Sequence, residues 1–459
     1  MKNLFTRRDF CRVASVACAT SILLSKSSWS QDRSNPQALR VRLNVTGPGA
    51  DRMLTSYANA IKAMKGLPST DGRSWENQAQ IHNNHCPHGN WFFLPWHRAY
   101  LRYFEEICRD LSFDREFVLP YWNWTKDPRV PKPFWDGELN DPTRRIGPND
   151  EMSSEFVGQK VIEDIMKKTN FEDFASYRST KTRGGVGGGQ ALLERAPHNY
   201  VHGRIGGDMG TFVSPRDPIF WLHHANIDRL WAMWNLKNGN TDDGLWNGYE
   251  DPNYFVDSNK DPKPFKVKEV LSTYQLGYRY DTQPAQSPPA LIASVFKVQP
   301  RFTLSAKRFV TAEVNSPASV LLPAELDFLA RAREIASPPD EQRLKTRILL
   351  SITLRTPSNL GTFVRVFLNG KNLSQETPLN DPHYVGSIAF FGNHDAEHEH
   401  SDMNYVLDVT DTLSALLQAE AFPTKNIEPQ LIVVAPQGVT AAVAEVAATA
   451  FDITIIQAE

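Results

Sequence analysis

Cysteine is scarce in this chain, with four in 459 residues. Two of them, Cys11 and Cys18, lie in the first thirty residues, so Cys86 and Cys108 alone remain beyond it and a disulfide framework is excluded. Charge of one sign is also lacking. The formal net charge is −2, and loss of residues 1–30, with five basic residues and one acidic, lowers it to about −6. Neither nucleic acid nor an anionic membrane is therefore an expected partner. The apolar run from Val13 to Leu24 is too short for a transmembrane helix, which needs ~20 residues. HExxH is missing too, and Gly184 to Gly189 (GGVGGG) lacks the Lys-Ser/Thr pair of a phosphate loop. The sequence carries no signal of oligomeric state.

The first thirty residues read as a leader. Thr6-Arg7-Arg8-Asp9-Phe10 is a twin-arginine pattern, the apolar run follows it, and Ser28-Trp29-Ser30 offers a small-x-small cleavage site. Export by the twin-arginine route, which carries folded proteins, to the periplasm or the outside is the expectation.

What is abundant is histidine in two places. His82, His85, His88 and His97 crowd one stretch, and His198, His202, His223 and His224 a second. All eleven tryptophans fall within the first 250 residues, most beside these histidines, where a buried site needs rigid apolar walls. The pattern predicts helices over Asp51 to Met64, Trp75 to Asn84, from about Trp96 with Leu101, Phe104, Ile107 and Leu111 on one face, and over Leu222 to Leu236. Cys86-Pro87-His88-Gly89 breaks that period and is expected as a loop. A four-helix bundle with the histidines at its centre accommodates these pieces.

On a helix, His198 and His202 return to the same face, so two imidazoles reach one metal, with His224 as the third ligand from a facing helix. Upstream, His82, His88 and His97 form the matching set. Neutral imidazoles without thiolate suit Cu, Zn, Fe or Ni. Two sites with no carboxylate ligand point to a pair of coppers, able together to deliver two electrons to dioxygen.

Two long strings make the case specific. The first is His88-Gly-Asn-Trp-Phe-Phe-Leu-Pro-Trp-His97-Arg98, with Leu101 and Glu105 in step. The second is Asp217-Pro-Ile-Phe-Trp-Leu-His223-His224, with Asp228 four residues on. The chain resembles the tyrosinase and polyphenol oxidase family of type 3 dicopper proteins, strongly over residues 50 to 250 and weakly to the end, where it is similar to the C-terminal domain of plant-type polyphenol oxidases. The resemblance implies His82, His88 and His97 on one copper, through the match of Gln78 to His82, and His198, His202 and His224 on the other, leaving His85 and His223 outside the ligand set. It also implies a thioether from Cys86 to the His88 ring and a gate over the first copper at Phe212 (or Thr211 or Val213). Asp228, one turn after His224, is placed to orient a ligand imidazole, with an ordinary helix salt bridge as the alternative. Glu194 and Asn199 are implied to hold a water that takes the proton of an incoming phenol, whose own pKa is about 10.

After about residue 250 the composition changes. The stretch Gln283 to Ala290 (QPAQSPPA) reads as a Pro-rich linker. Apolar runs follow at Ile348 to Leu354, Phe363 to Leu368, Ile388 to Phe391, Tyr405 to Val409, Leu431 to Val434 and Ile453 to Ile456, with a helix over Ala324 to Ile335 before them. The expected architecture is a mainly α catalytic domain at 31–255, a connecting segment at 256–300 and an all-β sandwich at 301–459. The resemblance implies O2-dependent oxidation of small phenols by two copper ions: ortho-hydroxylation of monophenols and oxidation of o-diphenols to o-quinones. A catechol-only or o-aminophenol oxidase is the nearest alternative, and a hemocyanin-like O2 carrier the remote one. The cluster His394, His398 and His400 reads as a polar loop, with copper loading as the sharper hypothesis, and a β domain over the site implies latency until the linker is cut.

Overall fold

The computed structural model describes residues 39–178, 188–289, 292–294, 298–314, 316–337, 346–358, 361–392, 402–435 and 444–458. The leader, Gly184 to Gly187 and the His394–His400 cluster lie outside the described residues. From Arg40 onward the chain forms one compact unit containing two large hydrophobic cores. No helix among the described residues is long and apolar enough to cross a membrane.

The first core is helical. Helices α1 (Ala50–Lys65), α2 (Trp75–His85), α3 (Phe93–Leu111), α4 (Asn199–Ile205) and α5 (Ile219–Asn238) carry or flank every histidine of the two clusters. Ser74 caps α2, its hydroxyl accepting from the Asn77 amide at 3.3 Å. Gly239 ends α5 at φ 93°, a left-handed position that favours glycine. Helix α5 is buried on nearly every side, so its sequence shows little amphipathic period; α3 keeps one, with Leu101, Phe104, Ile107 and Cys108 inside. A π-helical segment, Glu194–His198, leads into α4 and contains Pro197. Such widened turns store a local irregularity and recur at functional sites.

The boundary expected at residue 255 falls inside a hairpin. With β1 (Arg40–Arg42) and short strands β2 (Ser176–Tyr177) and β3 (Gly189–Gln190) before it, β4 (Glu250–Val256) pairs β5 (Pro262–Lys266), and β6 (Tyr278–Tyr280) lies parallel to β1. Phe255, Phe265, Val267, Val270, Tyr278 and Tyr280 join the helical core, so this part of the connecting segment packs instead of linking.

The second core lies between two sheets. Strands β7 (Val298–Ala306), β8 (Val310–Glu313), β9 (Ala318–Ser319), β10 (Thr346–Arg355), β11 (Phe363–Leu368), β12 (Tyr384–Ala389), β13 (Asp402–Asp408), β14 (Pro429–Val434) and β15 (Glu445–Ala458) supply most of both. One sheet runs β8-β15-β10-β13-β3-β2, with β7 also on β15; the other runs β9-β14-β11-β12. Leu350, Ile352 and Ile453 from the first meet Val364, Val366 and Leu431 from the second. The sandwich is not all β. Beside the expected helix α6 (Leu326–Ala336) there is α7 (Thr410–Gln418), directly after β13, and Leu413 and Leu416 bury its inner face.

Two features tie the cores together. Strand β3 comes from the helical half, yet pairs in parallel with β13, Gln190 opposite Tyr405. Strand β12 is an edge strand, and β12 ends at Ala389, two residues earlier than the expected run to Phe391. Phe390 and Phe391 leave the sheet and remain buried.

Candidate metal centre

All six expected ligands converge in the first core, each at most 7% exposed. The rings of His82, His88 and His97 stand 5.4–5.5 Å apart, centroid to centroid. Those of His198, His202 and His224 stand 4.6, 5.1 and 5.3 Å apart. The triplets face each other closely: His88 lies 5.4 Å from His198, and His97 stacks on His224 at 4.3 Å.

Each triplet is aimed from behind. Nδ1 of His82 donates to the Phe212 carbonyl (2.7 Å), that of His97 to Phe93 (2.8 Å) and that of His202 to Met209 (2.6 Å). His198 Nδ1 donates to Asn199 Oδ1 at 2.9 Å. A carbonyl only accepts, so the proton sits on Nδ1 and the Nε2 lone pair faces inward. Nε2 of His82, His88, His97 and His198 is buried with no hydrogen-bond partner, and Nε2 of His202 lies 3.1 Å from that of His224. Burial drives these imidazoles toward the neutral, ligating form: His82 and His198 titrate down at about 3, and His88, His97, His202 and His224 are also lowered, with neighbouring imidazoles adding to the burial effect. Orphaned buried Nε2 atoms on four of these rings, with those of His202 and His224 facing each other, fit metal ions.

His223 is buried in the same cluster, with a ligand atom in reach of His198, His202 and His224. Its hydrogen bond differs. Trp124 Nε1 donates to His223 Nδ1 at 3.2 Å, which puts the His223 proton on Nε2 and leaves no lone pair for a metal. His85, at the last residue of α2, is half-buried. Cys86 places its sulfur 3.3 Å from His88 Nδ1, beside the ring that a thioether would join, and the two groups share a metal-sized cluster with His82.

The remaining expected residues are engaged in ways the sequence did not reveal. Asp228 does not touch an imidazole. Its carboxylate accepts from Arg98 Nε (2.5 Å), Tyr278 Oη and Tyr280 Oη (2.7 Å each), with Arg42 at 3.5 Å, and Arg98 stacks on Trp231. Asp228 therefore locks α3 to α5 and to the tyrosines of β6, a correction that follows from buried Arg98 needing a counter-charge, Arg42 being paired with Glu105 at 2.9 Å. Glu194 is fully buried; its oxygens accept from the Gly89 amide (2.8 Å) and the Ser176 hydroxyl. Desolvation pushes its carboxyl up to about 8, against the pull of those two bonds. The Asn199 amide nitrogen donates to Gln190 Oε1 (2.5 Å) and to the Ala389 carbonyl (2.9 Å). Phe212 stands by the first triplet, its ring 5.8 Å from His88.

Sequence reasoning missed Phe391. Its ring lies 4.3 Å from His202, 4.8 Å from His88, 5.3 Å from Phe212 and 5.5 Å from His198, and it is 3% exposed. It reaches over both triplets from the second core. No spacing rule links it to histidines almost two hundred positions away. The loop that brings Phe212 to the site rests on glycine: Gly207 has φ 60°, and a Cβ there would meet the Thr143 carbonyl oxygen at 2.2 Å.

Residues 72–152 and 130–237 match the family described as the common central domain of tyrosinase. The chain is 28% identical to Tyrosinase HcTyr1 of Hahella sp. (strain CCB-MM4), the match covering 83% of this chain and 93% of that one. It is 32% identical to the chloroplastic polyphenol oxidase of Spinacia oleracea over 50% of this chain and 45% of the relative, so it spans about half the length of that plant protein. Among solved structures, latent apple tyrosinase superposes with a TM-score of 0.66 at 22% identity, over 93% of this chain and 98% of the other, which is a shared fold.

Proposed function

The chain belongs to the tyrosinase and polyphenol oxidase family, and from that premise we propose that it oxidises small phenols with O2, hydroxylating monophenols ortho to the hydroxyl and converting o-diphenols to o-quinones. Two copper ions, held by His82, His88 and His97 and by His198, His202 and His224, supply the electrons for reduction of O2. The observation that carries this reading is the set of six buried, neutral imidazoles without a carboxylate ligand, four of them (His82, His97, His198 and His202) back-bonded through Nδ1, a donor set suited to copper and unlike that of a zinc hydrolase.

The protein's own part is to bind and orient the phenol, exclude water and receive a proton. Apolar walls of Phe212, Phe220 and Phe391 surround the imidazoles and keep the site dry. Phe391 occupies the place of a substrate ring against His202 and His88, so the closed chain is latent and opens when the second core moves. Glu194 and Asn199 hold a water that takes the phenol proton.

A catechol-only oxidase is the second reading. It is favoured by the full engagement of Glu194 with Gly89 and Ser176, which leaves an o-diphenol, the easier substrate, as the one oxidised without their help. Oxygen uptake by the copper-loaded chain on tyrosine, a catechol and an o-aminophenol, before and after limited proteolysis, separates the readings. Uptake on catechol alone after proteolysis selects the second, and no uptake on any phenol rejects both. The Arg7-Arg8 leader assigns the chain to twin-arginine export; persistence of the exported form after Arg7 and Arg8 are both changed to Lys would remove that assignment.

A further inference from the structure

The residues around Asn199 point to a device beyond occlusion. Arg195, Asn199 and His202 repeat at four- and three-residue steps, a single stripe along the π segment and α4. The free edge of β12 runs against that stripe. Arg195 Nη1 donates to the Ser387 carbonyl, Asn199 Nδ2 to the Ala389 carbonyl, and the Phe391 ring packs on His202. Ser387 and Ala389 are alternate residues of β12, so their carbonyls leave the strand on the same side and meet one side of a helix, and Phe391 follows just beyond the strand end.

Asn199 is hydrogen-bonded to one residue from each sheet of the sandwich. Ala389 belongs to the edge of the four-stranded sheet, and Gln190 to β3, which the larger sheet holds through β13. The Ala389 carbonyl can only accept, so the Asn199 atom facing it is the nitrogen. That settles the amide orientation: Oδ1 faces His198 Nδ1. Were the amide turned over, its NH2 would face His198 Nδ1, the imidazole proton would move to Nε2, and the lone pair directed at the metal would be lost.

We propose that Gln190 is a positioning residue for the second metal: with the Ala389 carbonyl it holds the Asn199 amide in the one orientation that keeps the His198 proton on Nδ1. The inference rests on the two-copper reading above. It makes the sandwich a brace for a metal ligand as well as a cover, and it explains why a strand of the helical half is threaded into the sheet of the other core.

The test uses the full chain without metal, titrated anaerobically with cuprous ion against a chromophoric chelator, together with the ¹⁵N spectrum of its histidines. Gln190→Met keeps the volume and removes the acceptor; Gln190→Glu keeps the acceptor oxygen. Wild type takes up two equivalents. Q190M is expected to hold one of them about tenfold more weakly, the fold-change of one buried hydrogen bond, and to show His198 protonated on Nε2. Q190E is expected to match wild type in both readouts. Undiminished binding by Q190M overturns the proposal, as does a loss in Q190E equal to that in Q190M. Should Q190M not fold, the Q190E spectrum decides alone: His198 protonated on Nδ1 supports the proposal and on Nε2 overturns it. Wild type that takes up no copper rejects the phenol-oxidase reading instead.

Discussion

Replacing Phe391 with alanine tests latency most directly. The ring is buried against His202, His88, Phe212 and His198, and no other described part of the second core is recorded in ring contact with these histidines. A substrate ring must displace it. Burying a Phe side chain is worth about 2 kcal/mol, and a barrier lowered by about 2 kcal/mol is roughly thirtyfold in rate. F391A should therefore raise kcat/KM for a catechol on the uncleaved, copper-loaded chain by roughly thirtyfold. The same substitution opens a cavity between the cores and should lower stability by ~3 kcal/mol, so the assay belongs well below the melting transition. Oxygen-electrode rates before and after limited proteolysis complete the comparison. Proteolysis should raise the wild-type rate and add little to F391A. If F391A stays as slow as wild type while proteolysis activates both equally, the ring is not the barrier and the reasoning fails.

Four further outcomes rest on the geometry. Glu155 pairs with Arg365 across the cores at 2.8 and 3.1 Å in a bidentate arrangement; E155A should loosen the cover and raise catechol oxidation by the uncleaved chain by up to roughly thirtyfold, as a lost charge-assisted bond of ~2 kcal/mol would, and an unchanged rate would count against a closing role for that pair. D228A strips the counter-charge from buried Arg98, while Arg42 keeps Glu105 at 2.9 Å, and should cost ~3 kcal/mol in urea unfolding; a wild-type midpoint would show that the network adds nothing to stability. For the metal-free chain, His82 and His198 bind protons at 6.5 when unfolded and at about 3 when folded. The unfolded state binds more protons between those values, so stability falls as pH drops below 6.5, by up to ~1.4 kcal/mol per unit for each group. Glu194 has the opposite sign, being raised from 4.5 to about 8, so its contribution is lost as pH rises through that range, and E194Q should flatten the alkaline side of the urea profile.

The sequence by itself determined the ligand chemistry, because that chemistry is written in local spacing. Two histidines one helical turn apart, a Pro-Trp-His string opening a helix and a paired histidine inside another are all short-range patterns, and helix geometry turns each into a set of rings on one face. The two-core architecture was legible for the same reason, since strands and helices differ in apolar period. Helix α7 escaped because nine residues give little period to read, and Asp228 because a carboxylate one turn from a ligand serves an imidazole or an arginine equally well in one dimension. Tertiary structure alone decided the protonation pattern and the cover. Which nitrogen of His198 or His223 carries the proton depends on Asn199 and Trp124 as neighbours in space, and what lies over the coppers' place depends on how an edge strand meets a helix. Phe391 and Ala389 reach the site through long-range packing of a second core, and burial in the folded chain gives Glu194 and the imidazoles their shifted titration.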